Sequence, residues 1–369
     1  MKIKRLISVS VPIKNCNLKC HYCYIAALEK FETGKAVFKF SPEHVGRCLS
    51  KERLGGTCIV NLTGGGETLL PPEITEYIFY LLKEGHYLEV VTNGTLTKRF
   101  LEIASFPKEY LQRLEFKFSL HFLELKRLGL LDNFSNNVKL MYESGCSYTI
   151  ECTPTDLLEP YIDELKDFCT RNFGANCHLT IARDDKNKMK ILSDRHFEEY
   201  CKVWESFQSD MFEFKKKLFY KKQKGFCYAG CWSLYLDLGT GETKKCYGQI
   251  ASQNIFKDIN KPIDFSPVGY HCRQPYCYNG HAYLALGNIP ELKTPTYSQI
   301  RNRKRMDGSE WEYASIKEAF SAKLYESNEK WSASKKIAYE LLYPIRMLRT
   351  VLYGHKEIRQ KLWERINSD

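Results

Sequence analysis

At 369 residues and 43% hydrophobic composition the chain can bury a full core, as one large domain or two of ordinary size, which excludes a disordered tail or a peptide hormone. No window approaches the roughly 18 uninterrupted apolar residues of a membrane span, and "MKIKRLISVSVPIK" lacks the apolar run and cleavage site of a signal peptide, so a cytoplasmic protein is expected. The net charge of +11 fits an anionic partner, or simply a lysine-rich surface, since much of the lysine lies in mixed-charge stretches.

Six apolar or alternating runs recur about every 30 residues, at 6–13, 58–64, 88–94, 114–121, 147–153 and 177–183, each rich in β-branched or aromatic residues as strands are. Helical segments lie between them: Ser41-Pro42-Glu43 opens one with proline at its first position, and "LPPEITEYIFYLLKEG" ends another at Gly85. Six alternating units predict an α/β fold with a parallel sheet, either open and doubly wound or a full or partial barrel, whose chemistry sits beyond the strands' C-terminal ends.

After the basic stretch "MFEFKKKLFYKKQKG" (211–225) the composition changes. Residues 226–290 hold five cysteines among many Gly and Tyr, as in a small metal-supported domain. Helical patterning is expected again over 291–369. Within 333–369, Lys335, Lys336, Arg346, Arg349, Lys356, Arg359, Lys361 and Arg365 stand against Glu340, Glu357, Glu364 and Asp369, eight against four, a net of +4. Ile337, Leu341, Leu342, Ile345, Leu348 and Leu352 recur at helical spacing, and Pro344 should kink or split the helix. Such a tail packs on its own domain or makes a peripheral contact with a membrane or a protein.

The 15 cysteines, an odd and high count, read in a reducing compartment as metal ligands plus buried thiols. Cys16, Cys20 and Cys23 crowd "CNLKCHYC" directly after the first strand run. Zinc would need a fourth ligand, for which His21 is near but poorly placed beside Cys20. A four-iron cubane held by three thiolates would keep one iron open.

The spacing of Cys, three residues, Cys, two residues, Cys resembles the signature of radical S-adenosylmethionine enzymes, including the aromatic Tyr22 before the third cysteine. The resemblance implies a partial (β/α)6 TIM-like barrel over about residues 1–210. It also implies an S-adenosylmethionine chelated to the open iron of a [4Fe-4S] cluster, a 5′-deoxyadenosyl radical, and an electron donor such as flavodoxin or ferredoxin. "NLTGGGETLL" sits where that family carries a glycine-rich motif. Gly64, Gly65 and Gly66 permit close backbone approach and unusual dihedrals, and Glu67 can offset an ammonium charge. By the same resemblance Thr92 and Asn93 line the cofactor cleft, Ser119 bonds the ribose or carboxylate, and Arg183 faces the carboxylate. His121, two residues beyond Ser119, is a candidate catalytic contact or a structural histidine.

Cys231, nine residues, Gly241, four residues and Cys246 predict a β-hairpin that brings two thiols together. The spacing resembles the opening of the SPASM and twitch auxiliary-cluster domains. Cys227 adds a ligand, and Cys277 ranks ahead of Cys272 for the fourth place, with His281 four residues further on. One auxiliary [4Fe-4S] cluster is expected at 226–290, with zinc on the same thiolates as the competing reading. Cys48, Cys58, Cys146, Cys152, Cys169, Cys177 and Cys201 read as small buried hydrophobes.

These readings give a radical S-adenosylmethionine enzyme with a small-molecule or peptide substrate. Many peptide-modifying relatives carry a leader-binding module before the barrel. With Cys16 so early none is expected, which favours a metabolite such as a sugar or nucleotide derivative, or a peptide presented by a separate protein. The alternatives are a SPASM-type peptide or protein maturase and a non-catalytic, zinc- and nucleic-acid-binding protein. Nucleic acid is not the expected partner, because that reading leaves "GGGE" after the second strand unexplained.

Overall fold

The computed structural model describes residues 1–29, 31–32, 34–187 and 189–366, with side chains through Gly354 except that of Tyr24. Each strand-like run forms a strand: β1 (Arg5–Val11), β2 (Cys58–Gly64), β3 (Tyr87–Thr92), β4 (Leu114–Ser119), β5 (Ser147–Cys152) and β6 (His178–Leu179). They pair in parallel in sequence order. The third run stops at Thr92, short of Gly94, whose φ of 75° turns the chain away. The sixth run shrinks to two residues because the chain leaves the sheet edge, and Arg183 instead bridges Ile191.

Beyond β1 the sheet continues. β7 (Ser233–Asp237) lies parallel to β1, and β8 (Glu242–Lys244) and β9 (Ala251–Asn254) add antiparallel strands, giving the order β6-β5-β4-β3-β2-β1-β7-β8-β9 among the described residues. The β7–β8 pair is the expected hairpin, turning through Gly241 at φ 78°. The cysteine-rich segment is thus joined to the parallel strands edge to edge, through bonds such as Leu6 N to Trp232 O (3.0 Å) and Leu238 N to Ser10 O (2.9 Å).

Alternation along each strand sorts its side chains between two environments. On the outer face Leu114, Phe116 and Phe118 of β4 pack under the helices α1 (Pro42–Cys48), α2 (Ile74–Lys83), α3 (Thr97–Ala104), α4 (Leu131–Glu143) and α5 (Ile162–Phe173). Phe100 of α3 meets Phe116 at 5.4 Å and Phe134 of α4 meets Phe118 at 5.7 Å, both edge to face. Burying each such ring stabilises the layer by about 1.5–3 kcal/mol. Ser41 caps α1 by accepting from His44 N (3.3 Å), with Pro42 at the first helical position as the sequence implied. The alternate set, Ser8, Ser10, Asn61, Glu89, Glu115, Lys117 and Glu151, is polar and lies on the opposite face, that of the lumen.

Residues 291–313 close the floor of this lumen. Helical patterning was expected here, but helix begins only at α7 (Ala314–Ser321), because the segment before it is committed to plugging the sheet. Arg301 pairs with Glu89 at 2.6 Å and Tyr297 donates to Glu89 at 2.8 Å. Thr149 donates to the Arg301 carbonyl at 2.8 Å, and the Trp311 indole to the Phe173 carbonyl at 2.9 Å.

In the tail, α8 (Ala333–Leu341) and α9 (Tyr343–Ile366) are separate helices, with Pro344 in the first turn of the second, where its missing N–H is not needed. Ile337, Leu341, Leu342, Ile345, Leu348 and Leu352 are all exposed. Lys336 pairs with Glu291 (3.1 Å), and Arg346 donates to the Tyr339 carbonyl. The side chains of Lys356, Glu357, Arg359, Lys361, Glu364, Arg365 and Asp369 lie outside the described residues. Among the described residues no helix is long and apolar enough to cross a membrane. The seven cysteines read as hydrophobes are buried. Three of them, Cys152, Cys169 and Cys177, are electrostatic neighbours, which their spacing did not reveal.

Candidate active site

The loop after β1 carries Cys16, Cys20 and Cys23 over the C-terminal ends of the strands. Its seat is the glycine run after β2. A Cβ on Gly66 would overlap the Asn15 carbonyl, one on Gly64 would lie 2.6 Å from Ile13 Cγ2, and one on Gly65 3.0 Å from Ile13 O. None of the three glycines has a positive φ. Close backbone approach, and not an unusual dihedral, is therefore what excludes a side chain here. Glu67 N then donates to Asn15 O at 3.0 Å and locks the two loops together.

Glu67 was expected to offset an ammonium group. Instead its carboxylate is buried and occupied: it accepts from Thr92 Oγ1 (2.6 Å), Asn93 N (2.7 Å) and Leu69 N (3.0 Å). Burial raises its pKa and these donors oppose the rise. Asn93, held in this way, donates to Asn17 Oδ1 at 2.8 Å and lies 3.7 Å from Cys16 Sγ. Tyr22 OH and His121 Nδ1 are 2.7 Å apart, and burial lowers the His121 pKa to about 4. His121 is thus neutral near pH 7 and engaged by the cysteine loop. His21 meets Thr155 Oγ1 (3.2 Å), so it is not turned toward the thiols. Ser119 ends β4 but does not line the cavity described next. Arg183 lines it on the far side, where its Nε bonds Asp185 at 3.0 Å and its guanidinium lies 4.9 Å from the Tyr278 ring centre.

Burial raises the Cys16 and Cys20 thiols, and the neighbouring sulfurs add to the effect. Thiolates this close repel one another and need a cationic core to balance them, while Leu18 N already donates to Cys16 Sγ at 3.4 Å. The donor set fits an iron–sulfur cluster. Among the described residues no three His, Cys, Asp or Glu side chains converge tightly enough for a single metal ion.

Below the loop opens a cavity of about 660 Å³, lined by the three cysteines, Gly64 to Glu67, Thr92, Asn93 and the polar lumen. Its opposite wall is the cysteine-rich segment, including Tyr247, Cys277 and His281. There the thiols of Cys227, Cys246, Cys272 and Cys277 are electrostatic neighbours, with burial the main cause of the raised Cys227, Cys246 and Cys277 pKa values. Cys231, expected among the ligands, stands apart from this group. Burial raises its thiol, and Arg5, hydrogen-bonded to it, opposes the rise. The reason is the register of the β7 hairpin: Trp232 O is bound by Leu6, which sets Cys231 beside the Arg5 end of β1.

The sequence reading missed the lumen. Lys117, Glu151, Lys215 and His281 all line the cavity, and Lys117 pairs with Glu151 at 2.9 Å. The pattern was legible: Glu115, Lys117 and Ser119 alternate with Leu114, Phe116 and Phe118, which marks a polar face on a strand otherwise buried.

Residues 10–117, which hold the cysteine loop and the glycine run, match the family model of the Radical SAM superfamily. This stretch is similar to a radical SAM domain. The chain also aligns over 303 residues, at 24% identity, with the antilisterial bacteriocin subtilosin biosynthesis protein AlbA of Bacillus subtilis (strain 168), covering 73% of this chain and 65% of that protein, just under two thirds of its length. The crystal structure of Streptococcus suis SuiB bound to S-adenosylmethionine has a similar fold, with a TM-score of 0.50 at 18% identity over 72% of this chain and 67% of that one. The family match makes the chain an enzyme and weighs against the non-catalytic reading. A radical SAM domain implies a [4Fe-4S] cluster and S-adenosylmethionine.

Proposed function

We propose that this is a radical S-adenosylmethionine enzyme that modifies a peptide, with a second, auxiliary [4Fe-4S] cluster at the far wall of its cavity. What carries the reading is the seating of the Cys16–Cys20–Cys23 loop on Gly64–Gly66 at the mouth of a cavity of about 660 Å³ that also holds buried charged side chains. A metabolite was the first expectation. The name of AlbA connects that relative with bacteriocin biosynthesis, and this favours the maturase alternative. A flavodoxin or ferredoxin as electron donor, a cytoplasmic location, and a peripheral contact through the exposed tail stripe belong to the same proposal.

Cys16, Cys20 and Cys23 hold the first cluster, and Cys227, Cys246, Cys272 and Cys277 are assigned to the second. Bound there, the first cluster and S-adenosylmethionine supply reductive cleavage of a sulfonium C–S bond and hydrogen abstraction from substrate. Glu67 acts as a positioning residue: by holding Thr92 and Asn93 it fixes the strand end that lines the cofactor cleft. The Tyr22–His121 bond fixes the loop before Cys23 and leaves the imidazole without charge. Tyr247, Tyr276 and Tyr278 line the same cavity and would displace bulk water from beside the reacting atoms.

Anaerobic reconstitution tests the reading. It expects about eight irons and eight sulfides per chain, together with formation of 5′-deoxyadenosine from S-adenosylmethionine and dithionite. About four irons with one zinc would end the auxiliary-cluster assignment. Fully reconstituted protein that leaves S-adenosylmethionine intact would end the enzymatic one.

A further inference from the structure

The charges around the cavity are unevenly placed, since the Glu67 carboxylate is taken up by Thr92, Asn93 and Leu69 under the cysteine loop. Four cations line the cavity: Lys117, Arg183, Lys215 and Arg301. Three have a carboxylate of their own, since Lys117 pairs with Glu151, Arg183 with Asp185 and Arg301 with Glu89. Lys215 bonds only the Thr180 hydroxyl and makes no ion pair among the described residues. It comes from the second turn of α6 (Asp210–Leu218), in the run Lys215-Lys216-Lys217, where Lys216 is taken up by Glu205 and Glu213 on the surface. Lys215 alone turns inward.

An ammonium removed from water without a counter-ion is costly, and such a group persists where a ligand supplies the missing charge. A second group in the same wall lacks a partner: the buried Nδ1 of His281 has no hydrogen-bond partner. His281 faces the charges of Lys215, Arg301, Glu151 and Lys117. We propose that Lys215, with His281 beside it, is the anchor for one carboxylate of the substrate, so that the peptide enters with an acidic side chain or its C-terminal carboxylate against this wall. The unpaired group on this wall is a single ammonium, which suits a monoanionic carboxylate better than a phosphate dianion. The burial that depresses the Lys215 pKa to about 8 is the cost the bound carboxylate would relieve.

This rests on the peptide reading above, and the test separates the two. Acetyl-Ala-Glu-Ala-amide and acetyl-Ala-Gln-Ala-amide differ by one charge and almost nothing in shape. Their binding to the reconstituted, full-length protein at pH 7 is measured by saturation-transfer NMR. The wild type should bind the glutamate peptide at least tenfold more tightly than the glutamine peptide. Lys215→Met should reduce that ratio to about one, and Lys215→Arg, which keeps the charge, should restore part of it. Equal binding of both peptides by the wild type, no binding of either, or an undiminished ratio in a folded Lys215→Met protein would each overturn the proposal. If Lys215→Met does not fold, Lys215→Arg and the wild-type ratio still decide it. Cleavage of S-adenosylmethionine by the same wild-type preparation is followed in parallel: cleavage without charge discrimination overturns the carboxylate subsite alone, whereas discrimination without cleavage overturns the enzymatic reading alone.

Discussion

Gly66→Ala should disable the first cluster without touching a cysteine. A Cβ at this position lies 2.5 Å from the Asn15 carbonyl carbon and 2.8 Å from the Asn15 nitrogen, and real contacts essentially never fall under 3.0 Å. The obstruction is backbone, which cannot rotate aside. The carbonyl carbon must therefore retreat by at least about half an ångström, and its oxygen by more. Overpacking of this kind costs about 1–3 kcal/mol. Breaking the Glu67 N to Asn15 O bond adds about 1 kcal/mol. Asn15 adjoins Cys16, so the displacement passes straight to the first thiol. Misplacement on this scale costs about a hundredfold in rate. The assay is iron content and 5′-deoxyadenosine formation after anaerobic reconstitution, alongside thermal unfolding, with Gly34→Ala as control because its Cβ meets nothing within 4 Å. Expected are loss of about four irons and a lower Tm for Gly66→Ala, and neither for Gly34→Ala. Wild-type iron, cleavage rate and Tm in Gly66→Ala would refute the seating of the cysteine loop on the glycines.

Glu67→Gln should destabilise the fold by about 1–3 kcal/mol in urea unfolding, because an amide NH₂ would then face one of the buried donors that the carboxylate accepts. Cys272→Ala should remove the auxiliary cluster, halving the iron, while Cys231→Ala should leave the iron count unchanged; the opposite result would return Cys231 to the ligand set. Lys215 sets a pH dependence. Its folded pKa is depressed from 10.5 to about 8, so below pH 8 both folded and unfolded states carry the proton and the burial cost stands in full. Between about 8 and 10.5 only the unfolded state keeps the proton, and stability rises with pH by up to about 3 kcal/mol. Buried Lys323, also depressed to about 8, contributes in the same direction, so the measured quantity is the wild-type rise minus that of Lys215→Met.

What the sequence made legible was local. β-branched runs separated by capped helices give strands with small errors at their ends, and Cys16, Cys20 and Cys23 announce themselves by spacing alone. Of the two reasons given for the glycine run, close backbone approach holds and unusual dihedrals do not, and that Asn15 is what approaches is a tertiary fact. Glu67 looked like a free carboxylate because its partners Thr92 and Asn93 belong to the next strand. Cys231 was placed among the ligands and Cys272 behind Cys277, because spacing does not carry the β7 register or the later fold-back that decide which thiols are neighbours. Lys215 looked like one more lysine in a basic surface stretch, and only the packing of α6 against β6 and the cavity separates it from Lys216 and Lys217.

The polarity of the lumen follows a gradient that no single strand reveals. At the floor one guanidinium, Arg301, faces three buried carboxylates, Glu89, Glu115 and Glu312. Burial raises Glu312 to about 8 and Glu115 well above the usual carboxylate range, and the mutual charge of the pair adds to Glu115. Burial and mutual charge thus favour the protonated forms of Glu115 and Glu312, under Tyr297 and the Trp311 turn. One layer higher the balance of residues reverses, because Lys117 and Lys215 face the single carboxylate Glu151. A carboxylate entering from the cysteine loop thus meets the lysine layer before the acidic floor.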